Sequence, residues 1–174
     1  MLRATPLVAT LAAVLAFSVG WVQLPTSARA ETSDTIEAPR RAPFDRARGT
    51  LPWPVAGLLV VGFGQPTGNG GRSGGIAIEA SLGAVVVSPC SGMVVYAGVF
   101  KTYGDLVIIA AGDGYHCLLA GPLLIDAEVG QQLSAGDPIG TLIRSKVDGA
   151  APRLRLELLK NSRLIDPVPW LRRS

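Results

Sequence analysis

Three groups of side chains in this chain could do chemistry: a charged row at Arg153, Arg155 and Glu157, a single histidine at His116, and two cysteines at Cys90 and Cys117. The row sits in Pro152-Arg153-Leu154-Arg155-Leu156-Glu157-Leu158-Leu159, which alternates polar and apolar through Leu158. That is the period of a half-buried β-strand. Arg153, Arg155 and Glu157 therefore leave one face together while Leu154, Leu156 and Leu158 enter the core. Two guanidiniums beside a carboxylate form a ledge that offers charge-assisted hydrogen bonds to carboxylates. The plain alternative is a charged face that meets water.

Metal hydrolysis is poorly supplied. A hydrolytic zinc needs about three His, Cys, Asp or Glu ligands and an open position for water. The chain has one His. His116 and Cys117 are neighbours on a strand and point to opposite faces, so they do not readily share a metal. Arginine stays protonated at any working pH and repels a cation. A Ser/His/Asp site would have to use His116, and no Gly-x-Ser-x-Gly elbow is present. A Cys90/His116 nucleophile pair is open in principle, but a lone His beside a structural strand is more often packing. No cofactor is expected.

These residues need a scaffold, and the chain's texture says which. Of 174 residues, 48% are apolar, 17% charged, 21 are Gly and 13 Pro, with few aromatics. Short strands and tight turns give that profile; helical bundles do not. Strand-like runs occur at Leu58–Val61, Ile76–Ala80, Ala84–Ser88, Met93–Gly98, Asp105–Ala111 and Tyr115–Ala120, then in two short pieces between Gly130 and Gly140, and in the arginine ledge. The Lys101-Thr102-Tyr103-Gly104 and Gly112-Asp113-Gly114 loops read as hairpin turns. The glycine-rich loop from Thr67 to Gly75 places Arg72 and Ser73, and Trp170 anchors an extended closing segment. The expected class is all-β, a two-sheet sandwich or barrel-sandwich hybrid.

Three regions follow. Residues 1–30 read as a secretory signal peptide: Arg3 opens, Leu7 to Phe17 is a compact apolar core, and Ala28-Arg29-Ala30 offers small residues at a cleavage site. An uncleaved anchor is the alternative, and the only route by which a membrane would enter. Residues 31–50 read as a flexible linker without heptads, and 51–174 as the domain. Without Arg3 and Arg29 the formal charge of +3 falls to +1, which gives no argument for nucleic acid. The charge is polarised, however. Residues 49–140 carry Arg72 and Lys101 against six acids, whereas 141–174 carry eight basic residues against Asp148, Glu157 and Asp166. A polarised domain suits a charged partner or polymer. In an exported chain Cys90 and Cys117 could form a disulfide, although nothing in the sequence fixes their separation.

Taken together, Gly75-Ile76-Ala77-Ile78, the run Val87 to Val95, Tyr103-Gly104, Asp113-Gly114, Gly130 to Gly140, Leu154 to Glu157 and Asp166-Pro167 resemble the LytM/lysostaphin-type peptidoglycan metallopeptidase domain. Leu51-Pro52-Trp53-Pro54-Val55 and the strand through Tyr115 and Gly121 look most like its EnvC-type branch of murein hydrolase activators. Active members hold zinc with a His and an Asp four residues apart and the second His of a His-x-His pair. Carried over, the resemblance puts those ligands at Ser73, Ala77 and Arg155, all of which depart from the pattern. The assisting histidines fall at Arg153 and Gly121 and depart as well. Gly130 to Gly140 also resembles biotinyl and lipoyl carrier domains, whose modifiable Lys has no good counterpart here: Lys101 lacks the neighbours.

The resemblance implies a catalytically dead homologue of a zinc metalloendopeptidase, secreted across the inner membrane to the periplasm or cell envelope. Its cleft would serve as a binding groove of Arg72, Ser73, Tyr103, Arg153, Arg155 and Glu157. The expected partners are peptidoglycan, an N-acetylmuramyl-L-alanine amidase, or both. An active peptidoglycan metalloendopeptidase and a structural envelope protein are the competing readings. Residues 31–50 lack the long coiled coil that EnvC-type proteins usually carry.

Overall fold

Strand alternation is met almost residue for residue where the sheet is central. The computed structural model describes residues 43–68, 70–144 and 150–173; the signal-peptide reading of 1–30 and most of the linker lie outside them. Eleven strands run in order: β1 Gly57–Val61, β2 Ile76–Ala80, β3 Val85–Val87, β4 Gly92–Phe100, β5 Gly104–Gly112, β6 Tyr115–Gly121, β7 Leu123–Ile125, β8 Gln132–Leu133, β9 Pro138–Leu142, β10 Arg153–Lys160 and β11 Arg163–Ile165. They form two antiparallel sheets, the two-sheet all-β architecture expected. The larger follows the order β1-β2-β10-β6-β5-β4-β8, with β11 on the far half of β10. The smaller is β3-β9-β7.

The ledge strand β10 lies in the middle of the large sheet, hydrogen-bonded to β2 on one side and β6 on the other. Leu154, Leu156 and Leu158 are buried in a core shared with Ile76 and Ile78 of β2, Cys117 and Leu119 of β6, and Val86 and Ile139 of the small sheet. A buried leucine of this kind contributes roughly 2 kcal/mol by transfer alone, so three in one strand fix its facing. Shifting the register by one residue would bury the arginines instead.

One part of the expected linker packs onto the domain. Phe44–Ala47 form a 3-10 turn, and Phe44 is buried at 5% exposure rather than lying in a tether. Its ring stacks on Tyr115 at 4.4 Å and meets Trp170 at 5.1 Å, while Tyr115 and Trp170 meet edge-on at 5.2 Å. The Phe44 backbone N–H donates to Asp113 Oδ2 at 3.0 Å. The buried core thus includes Phe44, which precedes Leu51. The linker's polar composition hid a single apolar anchor. Trp170 is buried as expected, though in a 3-10 turn, Val168–Trp170, rather than in extended chain.

Candidate functional site

The face of β10 opposite the core carries the candidate site, and strand pairing decides what shares it. Residues directly opposite one another in a ladder project to the same side. Arg155 lies opposite Ala77 of β2 and Ala120 of β6, Arg153 opposite Glu79, and Glu157 opposite Leu118. Three sequence-predicted positions, Ala77, Arg153 and Arg155, are therefore neighbours on one surface. Gly121 joins them through the backbone, since a Cβ built on it would stand 2.5 Å from the Arg153 carbonyl oxygen.

Glu157 is the centre of this surface. Its side chain is 4% exposed, against 42% for Arg155. Arg155 Nε lies 3.5 Å from Glu157 Oε1, and the Tyr103 hydroxyl donates to Oε2 at 3.1 Å. The Arg155 guanidinium also stands 5.9 Å from the centre of the Tyr103 ring. Burial first, then the charge of Glu157 and the hydrogen bond to it, push the Tyr103 phenol above its usual 10.0, so it stays protonated and donating at neutral pH. Tyr103 reaches Glu157 from the β4–β5 turn. Gly75, one residue before β2, lets that strand close in: a Cβ there would sit 2.2 Å from the Leu156 carbonyl oxygen and 2.7 Å from Glu157 Cγ.

The other predicted residues separate from this centre. Arg153 donates from Nε and Nη2 to a single oxygen of Glu79, at 3.0 and 2.9 Å, and is the more exposed arginine at 58%. Ser73 is buried and its hydroxyl donates to the Gly75 carbonyl at 2.6 Å, so it supports the entry to β2 instead of facing a ligand. Arg72 donates to the Gly64 carbonyl at 2.8 Å within its own loop. Glu79 was the residue sequence reasoning passed over. Its outward place between Ile78 and Ala80 was readable, but its pairing with Arg153 depends on the β2–β10 register. Beyond Glu79, at the β1 end, a cavity of about 620 Å³ opens, lined by Glu79 to Leu82, Ala56 to Leu58, Arg144 and Ala150 to Pro152.

His116 and Cys117 do take opposite faces: Cys117 is buried in the core opposite Leu158, while His116 lies opposite Leu159 on the outer face and is half-buried. Among the described residues, no three His, Cys, Asp or Glu side chains come together as a metal site.

A family model for peptidase family M23 matches residues 71–167, the stretch that runs from the glycine loop through β10 to Pro167. The chain belongs to peptidase family M23. The M23 domain is 32% identical over 126 residues to the murein hydrolase activator EnvC of Escherichia coli, covering 72% of this chain and 30% of that protein. It is 30% identical over 120 residues to the murein hydrolase activator NlpD of Salmonella dublin, covering 68% of this chain and 30% of that one. The chain thus spans under a third of the length of either activator. Among solved structures, the catalytic domain of lysostaphin from Staphylococcus simulans superposes with a TM-score of 0.57 at 27% identity, covering 66% of this chain and 91% of that domain.

The M23 fold implies a zinc ion, and the donor set here does not fit one. At the positions where the resemblance places ligands, Ser73 has its hydroxyl committed to Gly75, Ala77 has no donor, and Arg155 is a cation. Glu157, the one acid at the centre, already accepts from Tyr103 and faces Arg155. A guanidinium at one of the three ligand positions would repel a divalent cation instead of holding it.

Proposed function

We propose that this M23 domain is a non-catalytic cell-wall factor, exported to the envelope, that activates or positions an N-acetylmuramyl-L-alanine amidase through the outer face of β10. The observation that carries this reading is the Arg155–Glu157–Tyr103 cluster, of which Arg155 falls at a position where the family resemblance puts a metal ligand. The chemistry is recognition. Glu157 and the Tyr103 ring hold one side of Arg155, and the outward edge of the guanidinium offers paired N–H donors to a partner carboxylate. Such a carboxylate exists on an acidic protein segment and on a peptidoglycan stem peptide.

The test is an amidase assay on purified sacculi with and without the added protein, run beside a sacculus pull-down. Stimulated amidase activity, lost on Arg155→Ala, supports activation. Pull-down that depends on Arg155 without stimulation moves the reading to direct peptidoglycan binding. Release of muropeptides by the purified protein alone, with stoichiometric zinc, would overturn the non-catalytic assignment.

A further inference from the structure

The two cysteines, which the function above does not use, are brought together in the core. Cys90 lies in the crossover that leaves β3 of the small sheet and enters β4 of the large one. Ser88 shapes that crossover: its buried hydroxyl accepts from the Cys90 backbone N–H at 3.4 Å and is itself bonded to the Cys90 carbonyl. Cys117 is in the middle of β6, between Ile109 of β5 and Leu158 of β10. The two sulfurs are 2.9 Å apart, and each residue is 1% exposed. Both side chains belong to the apolar core, and among the described residues neither joins a group of three metal-ligating side chains.

We propose that Cys90 and Cys117 form an intramolecular disulfide, made while the chain folds and sealed when the two sheets close over it. The bond would tie the inter-sheet crossover to the central strand of the large sheet across 27 residues of chain. The chemistry is thiol–disulfide exchange with a disulfide donor, either a small molecule or an oxidoreductase. One cysteine thiolate attacks the donor's disulfide and releases one donor thiol. The second cysteine then displaces the other half of the donor, forming the Cys90–Cys117 bond. The protein loses two electrons and two protons, and the donor leaves as two thiols.

Timing follows from burial. In the folded dithiol a donor cannot reach either sulfur. The hydrogen bond with Cys90, and then burial, also push the Cys117 thiol well above its usual 9.0, which suppresses the attacking thiolate. The exchange therefore belongs to the open chain.

The experiment refolds the whole chain from denaturant in two arms, one with a mixture of oxidised and reduced glutathione and one with excess reductant. Each is then denatured, treated with iodoacetamide and weighed intact. The expected result is no added label after oxidative refolding and two labels after reductive refolding. The folded dithiol, when given oxidised glutathione afterwards, should keep both thiols for hours. Oxidised protein should melt on the order of 10 °C above the dithiol form, the shift expected for a loop of this length in a domain of this size. Cys90→Ala and Cys117→Ala each should take up one label after reductive refolding and show no rise in melting temperature after oxidative refolding. Two labels after oxidative refolding, or glutathione adducts on single cysteines in the wild type, would overturn the proposal. Rapid oxidation of the folded dithiol would overturn its timing, and equal melting temperatures its role as a staple.

Discussion

The two halves of β10 carry the same three-membered arrangement in different surroundings. In the first half, Tyr103 donates to Glu157, Glu157 faces Arg155, and Arg155 lies over the Tyr103 ring. In the second half, Tyr115 donates to Asp45, Asp45 pairs with Lys160 at 3.2 Å, and Lys160 lies 4.7 Å from the centre of the Tyr115 ring. The acid makes the difference, since the Glu157 side chain is 4% exposed and that of Asp45 61%. An exposed pair trades water for a partner at little net gain, whereas a buried carboxylate that loses its partners keeps its desolvation penalty. One cluster is thus a demanding centre on the face proposed for recognition. The other is a surface clasp over an aromatic anchor, and the anchor supplies the strength.

That contrast can be broken at several points. The largest effect should come from beneath the clasp: Phe44→Ala removes a buried ring stacked on Tyr115 and Trp170 and should cost about 3 kcal/mol in denaturant unfolding. A loss below about 1 kcal/mol would return residues 43–50 to the status of a tether. Next is Glu157→Ala, which strands the Tyr103 hydroxyl and leaves Arg155 unpaired. The expected loss is about 2 kcal/mol, less than for a fully buried pair because water still reaches Arg155. Arg155→Ala leaves the buried Glu157 carboxylate with the Tyr103 hydroxyl alone, so it should cost about 1 to 2 kcal/mol while abolishing amidase stimulation.

Lys160→Ala should be the smallest, with an unfolding midpoint only slightly below that of the wild type at neutral pH. Its signature is in the pH profile. The hydrogen bond from Tyr115, then that from Lys160, hold the Asp45 carboxyl below its usual 3.8, so this contribution is present above pH 3.8 and fades as pH falls through the lower folded value. Burial first raises the Tyr115 phenol above 10.0, and the hydrogen bond with Tyr115 first raises Lys160 above 10.5. Those contributions hold below these values and fade as pH rises through the raised folded ones. Melting curves of wild type and Lys160→Ala should accordingly run parallel between the two limits and converge outside them.

Much of this was legible in the chain. The alternation through Arg153, Arg155 and Glu157 gave the facing of β10, because three leucines leave no other economical register. Gly75 and Tyr103 could be placed at the right turns from their motifs. What could not be read was contact across strands: that Arg153 answers to Glu79, that Glu157 is buried, or that Arg72 serves its own loop. The first two depend on register between segments far apart in the chain, 74 residues in the case of Arg153 and Glu79, on which local periodicity is silent. Phe44 escaped for the opposite reason, as a lone anchor in a polar stretch with no period to betray it.

Gly121 carries a consequence for what this scaffold can become. Restoring donors at 73, 77 and 155 is a matter of exchanging side chains, and each exchange can be made singly. Position 121 is different, because any residue with a Cβ collides with the backbone of β10. A mutational walk toward hydrolysis would have to prise apart a pair of central strands before it could gain its last histidine, and every intermediate on that path would be a poorer fold. On the proposed reading, the obstacle to hydrolysis lies in the main chain as well as in the side chains.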